Sequence, residues 1–183
     1  NYIMSKLTKW FLRILGGIIG IMLLFNFVIG PIIKSQTKKH SPEQHITHTQ
    51  NVLEVAAFYC SPSKKDRKIF GELVSYNEVW RTGANEAAEI TFYKDVIFGG
   101  KSLKAGTYSL FTIPSYDGDW TVIINRARNV WGSYYYKQDK DVVRISGKTS
   151  KTEENIEAFS MMFDKDMTLK MGWGKTVISV SIK

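Results

Sequence analysis

The sequence has few of the residues on which most metal sites and nucleophilic catalytic sites depend. Its single cysteine, Cys60, excludes an intrachain disulfide and a cysteine-based metal site. We interpret Cys60 as a small buried hydrophobe, with a disulfide to another chain as the alternative. The three histidines, at positions 40, 45 and 48, precede the first predicted strand, so a serine or cysteine triad has no base within the predicted sheet. No glycine-rich phosphate-binding loop is present either.

Acidic residues are absent from the first 40 positions, which hold six of the 25 basic residues. The remaining 19 basic and 17 acidic residues give the rest of the chain a net charge of only +2. The basic character therefore belongs to the flanks of an apolar segment, where lysine and arginine meet lipid head groups. A nucleic-acid-binding protein would carry its basic patch on the folded domain, so no nucleic-acid partner is predicted.

One long apolar run, Ile14–Ile33, is interrupted by a single polar side chain, Asn26. As a helix it would be about 30 Å long, which is the thickness of the hydrocarbon core of a bilayer. It is longer than the apolar stretch of a cleaved signal peptide, and Pro31 follows the nearest cleavage-like triplet. We therefore predict a cytoplasmic amino terminus (1–13) followed by an uncleaved transmembrane signal anchor (14–33) in the lipid bilayer. Basic residues on both sides leave its orientation nearly balanced.

Two glycines of this segment, Gly16 and Gly20, are four residues apart. This spacing lets two membrane helices approach closely, and it also occurs often by chance. A homodimer through these glycines is therefore one open interpretation.

The polar residues 34–50 are predicted to form a juxtamembrane linker. Within it, His45 and His48 could share one helical face and hold a metal ion. Two histidines alone do not complete a tetrahedral ligand set, so we predict solvated side chains, no metal site and no cofactor.

From residue 51 to residue 183 the apolar residues recur with a period of two, which is typical of strands. Short strands separated by turn signals, without an amphipathic helix of useful length, predict an all-β fold. The expected architecture is an antiparallel β-sandwich, jelly-roll-like or barrel-like. The predicted strands are 52–59, 90–93, 96–98, 107–113, 120–124, 142–146, 156–163, 167–173 and 176–182.

The stretch from Arg67 to Glu89 fits neither a strand nor a simple turn. Between Trp80 and Glu86 it gathers an indole, a guanidinium (Arg81), an amide (Asn85) and a carboxylate. Such a loop can bind a ligand, because arginine pairs with carboxylate or phosphate and tryptophan stacks on rings. In the structural alternative, Arg81 and Glu86 pair with each other to hold the loop while Trp80 fills the core.

Catalysis would have to centre on Glu86 as an acid or base. A glycosidase-like mechanism needs a second carboxylate opposite Glu86, and the sequence does not rank the candidates. Aromatic residues around Trp131 could stack on sugar rings or pack one open end of the domain.

Five blocks occur in an order that resembles a bacterial family, domain of unknown function 2911, over about residues 41–182. The block Trp80–Glu86 is the most specific of them. The blocks are Tyr59–Pro62, Arg67–Gly71, Val79–Ala87, Ala105–Pro114 and Trp131–Gly132.

The resemblance implies export and therefore a domain outside the cytoplasm, with the amino terminus inside. It implies no activity. It does support Arg67, Arg81, Asn85 and Glu86 as one unit, and the candidate ligand set also includes Trp80, Tyr108 and Trp131. Relatives usually carry an arginine before the proline of the first block, and here that position is Ser61.

The favoured hypothesis is a non-enzymatic module anchored in the inner (cytoplasmic) membrane, with an extracytoplasmic domain that binds a small polar or glycan-like ligand or an envelope protein. The alternatives are an envelope hydrolase that uses Glu86 as acid or base, and a purely structural tether without a ligand.

Overall fold

A computed structural model describes residues 5–183, which form two compact units, residues 5–39 and residues 40–183. Residues 1–4 of the predicted amino-terminal segment lie outside the described residues. The first unit is a continuous helix built from α1 (Lys6–Leu24), a π-helical turn (Phe25–Ile29) and α2 (Gly30–His40). It is long and apolar enough to cross a membrane by length and composition.

Individual residues explain where this helix begins and where it contains a π-helical turn. Ser5 caps the start, since its Oγ accepts a hydrogen bond from the backbone N–H of Thr8 at 3.2 Å. The one polar side chain of the apolar run, Asn26, donates to the carbonyl of Met22 at 2.8 Å, so its amide is satisfied within the helix. The π-helical turn ends at Ile29, two residues before Pro31, whose ring lacks an N–H and clashes with the carbonyl four residues earlier.

The second unit is all-β, which confirms the predicted fold class. Seven strands form one curled antiparallel sheet in the order β1-β2-β3-β6-β7-β8-β9, and β4 and β5 form a separate pair. A single turn of 3₁₀ helix (Gln138–Lys140) precedes β8. The strands are β1 (Glu43–Gln50), β2 (Leu53–Cys60), β3 (Ala88–Phe92), β4 (Val96–Phe98), β5 (Lys101–Leu103), β6 (Gly106–Ile113), β7 (Trp120–Asn125), β8 (Asp141–Phe163) and β9 (Thr168–Ser181).

The predicted linker 34–50 is wrong over its second part, because residues 43–50 form strand β1. This strand pairs with β2 from Glu43↔Cys60 to Gln50↔Leu53 and stands first in the sheet order. Its residues alternate between exposed and half-buried, so its polar sequence fits an edge strand as well as a linker. His45 and His48 lie on opposite faces, against Phe58 and Phe163, and do not share the helical face expected of them.

Strand β8 closes the curl of the sheet into a half-barrel. Its first part pairs with β7. From Lys148 onward it pairs with β9, with register shifts between Lys151 and Ser160. The far end then reaches the residues that follow β2, where Ser61 Oγ donates to the carbonyl of Phe159 at 2.7 Å. The N–H of Phe159 in turn donates to the carbonyl of Pro62 at 2.9 Å. The residues at the end of β2 are therefore held against β8.

Candidate functional site

The crossing loop, residues 81–87, leads from Trp80 into β3. Trp80 is paired with Thr112 of β6 by two backbone hydrogen bonds, and its side chain is only 7% exposed. Its indole stacks on Trp173 with ring centres 6.0 Å apart and donates to the carbonyl of Gly83 at 3.2 Å. Core aromatic residues enclose the ring, so Trp80 packs in the core, as the structural alternative expects.

The crossing loop contains non-glycine residues with positive φ angles. Thr82 and Asn85 have φ angles of 54° and 57°, a region that most side chains avoid. Thr82 is buried, and its Oγ1 donates to the hydroxyl of Thr112 at 3.2 Å. A Cβ on Gly83, where φ is 140°, would lie 2.8 Å from the carbonyl oxygen of Cys60. The loop therefore lies directly against the end of β2, and only glycine fits at the contact.

The carboxylate of Glu86 meets the thiol of Cys60 at the end of β2. Cys60 is fully buried, and its Sγ donates to Oε2 of Glu86 at 3.6 Å. Burial is the main cause that raises the pKa of this thiol to about 11, and the charges of Glu86 and Glu43 act in the same direction. A hydrogen bond from Asn85 opposes them. Because the thiol stays protonated at neutral pH, Cys60 is poorly suited to act as a nucleophile.

The segment from Asn85 to Ala87 pairs with residues 130–132, which brings Trp131 to the loop. Glu86 forms a β-bridge with Trp131, and the N–H of Gly132 donates to the carbonyl of Asn85 at 2.8 Å. The side chain of Asn85 makes a second contact, since its Nδ2 donates to the carbonyl of Ser41 at 3.4 Å. Three separate parts of the sequence thus meet around one loop.

Arg81 is the half-buried cation of this cluster. Its Nε is buried and has no hydrogen-bond partner among residues 5–183. Burial lowers the pKa of the guanidinium, while nearby Tyr134 and Cys60 act in the opposite direction. Arginine nevertheless stays charged in proteins, so this N–H is a buried donor of a cation that lacks an acceptor. An anion or carbonyl oxygen at this point would satisfy it.

The other two predicted ligand residues have different neighbours. Arg67 is exposed, and its guanidinium donates to the carbonyls of Ser63 and Lys64 at 2.6 and 2.9 Å. The hydroxyl of Tyr108 donates to the carbonyl of Lys104 at 2.9 Å, and its ring packs near Phe92. The contacts of Arg67 and Tyr108 therefore do not include the crossing loop. The structure brings together Arg81, Asn85, Glu86 and Trp131 of the predicted set.

Three members of the cluster were not among the predicted ligand residues: Glu43, Cys60 and Tyr134. The predicted linker contains Glu43, and the sequence indicates only a buried hydrophobe at Cys60. The register of β1 with β2 places Glu43 directly opposite Cys60. Ile46 is the single apolar residue of Glu43–Gln50, so the sequence has no period of two that would predict this strand.

The profile of a family described as "Protein of unknown function (DUF2911)" matches residues 41–182. The chain belongs to this family. No curated protein and no solved structure is significantly similar to it. The family match begins at Ser41, two residues before β1, and thus covers the strand that sequence reasoning assigned to the linker. Ser61, in the first block of the resemblance, has a buried side chain that donates a hydrogen bond to β8.

Proposed function

We propose that this member of the DUF2911 family is a membrane-anchored, extracytoplasmic binding module whose crossing loop accepts the anionic group of a small polar or glycan-like ligand. The observation that carries the proposal is the buried Nε of Arg81, which has no acceptor among residues 5–183. A buried donor without a partner costs about 1–3 kcal/mol, more when charged, and a ligand oxygen removes that cost. This gain is available only when the ligand is bound.

The groups around Arg81 are suited to recognition rather than to electron or group transfer. A guanidinium can hold a carboxylate or phosphate through two parallel hydrogen bonds. Asn85 has an amide that can recognise a hydroxyl or carbonyl group. The ring of Tyr134 is 84% exposed beside them and can cover the apolar face of a sugar. Together these groups favour a small ligand that has both an acidic group and hydroxyl groups.

The proposed location depends on the apolar helix and on the family. The helix Lys6–His40 is long enough to span a bilayer, and the export implied by the family resemblance favours a domain outside the cytoplasm. We propose a single-pass protein of the inner membrane with its amino terminus inside. Dimerisation through Gly16 and Gly20 stays a prediction, and an added Cβ at either glycine would meet no other atom within 4 Å.

Thermal unfolding of the full chain in an uncharged detergent tests the binding function. The probes are inorganic phosphate, citrate and glucuronate, each measured with the wild type, Arg81→Met and Arg128→Met. Arg128 is a matched control because it is an exposed arginine paired with Glu89 at 3.7 Å. We expect at least one probe to raise the Tm of wild type and Arg128→Met by several degrees but not that of Arg81→Met.

The same measurement separates a binding site from a structural staple. For the double variant Arg81→Met/Glu86→Gln without ligand, we expect a Tm within a few degrees of wild type. A loss of ten degrees or more would show that the two residues hold the fold, and would contradict the proposal. Absence of any ligand-induced shift would favour the purely structural tether.

A hydrolase remains the second candidate, because the structure brings another carboxylate to the loop. Glu43 lies opposite Cys60 in the β1–β2 register, and Cys60 donates to Glu86. Both carboxylates act on one thiol, and paired carboxylates are the basis of glycoside hydrolysis. Assays with aryl glycosides and aryl esters test this candidate. Turnover that disappears in both Glu86→Gln and Glu43→Gln would replace the binding function with hydrolysis.

A further inference from the structure

A basic groove lies in the β-domain, lined by residues that do not contact Arg81 of the crossing loop. It consists of two adjoining clefts of about 610 and 440 Å³, which share Phe70, Tyr76 and Lys151. Each cleft has the size of a site for a small molecule, and together they form an elongated groove. A groove of this shape suits a short chain of linked units better than a single compact ligand.

Basic side chains dominate the larger cleft. Five of them line it, and Asp66 is the one acid among its described lining residues. Within residues 5–183, neither Lys64 nor Lys175 forms an ion pair, whereas Lys68 pairs with the exposed Glu72 at 3.2 Å. Clustered like charges repel one another, and an anionic ligand relieves that repulsion. The five basic residues are Lys64, Arg67, Lys68, Lys151 and Lys175.

The region shared by the two clefts is aromatic. Phe70 is half-buried and packs edge-on against Trp120, with ring centres 4.6 Å apart, so it is fixed by the core beneath it. Tyr76 contacts Tyr116 edge-on at 5.5 Å, and Tyr116 is 80% exposed. Exposed tyrosine rings beside cations provide flat apolar surfaces on which sugar rings stack. The smaller cleft adds hydroxyl groups from Ser115, Thr149 and Ser150. It also contains the carboxylates of Asp117 and Asp119, so the acidic groups of a ligand belong in the larger cleft.

The basic wall of the groove is held in place before any ligand arrives. Lys65 and Asp66 have φ angles of 48° and 45°, which is rare for two consecutive residues other than glycine. The N–H groups of Lys64 and Lys65 donate to the backbone and side-chain oxygens of Glu157 on β8, at 2.7 and 2.9 Å. Arg67 donates to the carbonyls of residues 63 and 64. A wall fixed in this way loses little conformational freedom on binding.

We infer that this groove binds an acidic oligosaccharide, a sugar chain whose rings carry carboxylate or phosphate groups. The cations of the larger cleft receive the acidic groups, and the tyrosines receive the faces of the rings. A nucleic acid fits less well, because residues outside the first 40 carry a net charge of only +2, and a nucleic-acid interface needs a more extensive basic surface. The inference does not depend on the proposed role of Arg81.

Binding of labelled hexagalacturonate to the full chain tests the inference. The chain is kept in a polyoxyethylene detergent, which has no sugar head group, and binding is followed by fluorescence anisotropy. We expect hexagalacturonate to bind at least tenfold more tightly than the neutral maltohexaose. Lys151→Met/Lys175→Met should weaken binding at least tenfold, whereas Lys94→Met/Lys101→Met should change it less than twofold. The control pair removes the same charge from exposed positions outside the groove.

Two further variants identify what the groove recognises. Tyr116→Ala, at an exposed position, should weaken hexagalacturonate binding several-fold and leave binding of inorganic polyphosphate unchanged. Equal affinity for both hexasaccharides, or equal effects of the two lysine pairs, would overturn the inference. So would tighter binding of a single-stranded oligonucleotide than of hexagalacturonate. If Arg81→Met abolished binding while neither lysine double variant changed it, the acidic sugar would be assigned to the crossing loop instead.

Discussion

The thiol of Cys60 and the carboxylate of Glu86 are 26 residues apart in sequence and meet at 3.6 Å, Sγ to Oε2. This contact joins the end of β2 to the crossing loop, and Glu43 of β1 faces the same cysteine. The pKa and reactivity of the Cys60 thiol therefore depend on the charge and the packing of the whole cluster. Since it is the single cysteine of the chain, its chemistry can be followed without interference.

We predict that Cys60 reacts slowly with iodoacetamide in the folded chain. With a pKa of about 11 instead of 9.0, the reactive thiolate at about pH 8 is roughly 100-fold less populated than in the unfolded chain. Glu86→Gln removes a charge that raises this pKa, so it should accelerate alkylation several-fold. Glu54→Gln, an exposed acid of the same strand, is the control and should have no effect. Equal rates in all three proteins would show that Glu86 does not act on the thiol.

The same pKa predicts how stability depends on alkaline pH. The folded pKa of Cys60 lies above its unfolded value, so its contribution is complete below about pH 9 and is lost as the pH rises toward 11. Over that interval the wild type should lose about 2 kcal/mol more unfolding free energy than Cys60→Ala. Denaturant unfolding at successive pH values measures the difference. Parallel curves for the two proteins would contradict the shift.

Tyr136 contributes over an overlapping pH range but does not obscure the comparison. Burial and its hydrogen bond to Asp141 raise the pKa of Tyr136 to about 12. Its contribution to stability is therefore complete below about pH 10 and lost toward pH 12. Both Cys60→Ala and the wild type keep this residue, so the difference between them isolates the cysteine.

The sequence predicts the all-β class because apolar residues alternate with polar ones in most strands. It does not predict β1, since an edge strand with one half-buried face can be built from residues as polar as Glu43–Gln50. It also predicts β8 as two strands, because the bulged stretch after Lys151 is polar and exposed. Register shifts of this kind depend on the partner strand, which local patterns do not reveal.

Part of the candidate site could be predicted because it is local. Arg81, Asn85 and Glu86 are neighbours in sequence, so a single loop brings them together. The contributions of Glu43 and Tyr134 depend on strand pairing and on a loop from another part of the chain. Trp80 was ambiguous, because an indole beside a polar loop can either stack on a ligand or fill the core, and only its burial decides between the two.

Gly83→Ala should lower the unfolding free energy by more than the strain of its positive φ angle alone would cause. An added Cβ would lie 2.8 Å from the carbonyl oxygen of Cys60, and neither backbone can move without breaking the cluster. Gly100→Ala is a matched control, since φ is also positive there (84°) but no atom lies within 4 Å of the added Cβ. We expect losses of about 1 kcal/mol for Gly100→Ala and about 3 kcal/mol for Gly83→Ala. Equal losses in denaturant unfolding would show that the contact with β2 does not constrain the loop.

Trp80→Leu should reduce stability and should not selectively reduce ligand affinity. The indole packs among Trp120, Phe159 and Trp173, and a smaller side chain leaves a cavity and the Gly83 carbonyl without its donor. We expect a loss of about 3 kcal/mol in unfolding free energy, measured by denaturant titration. Tyr135→Leu, at an exposed aromatic position, is the control and should change stability by less than about 0.5 kcal/mol. If Trp80→Leu kept full stability while abolishing the ligand-induced rise in Tm, the indole would be a ligand contact and its assignment to the core would be wrong.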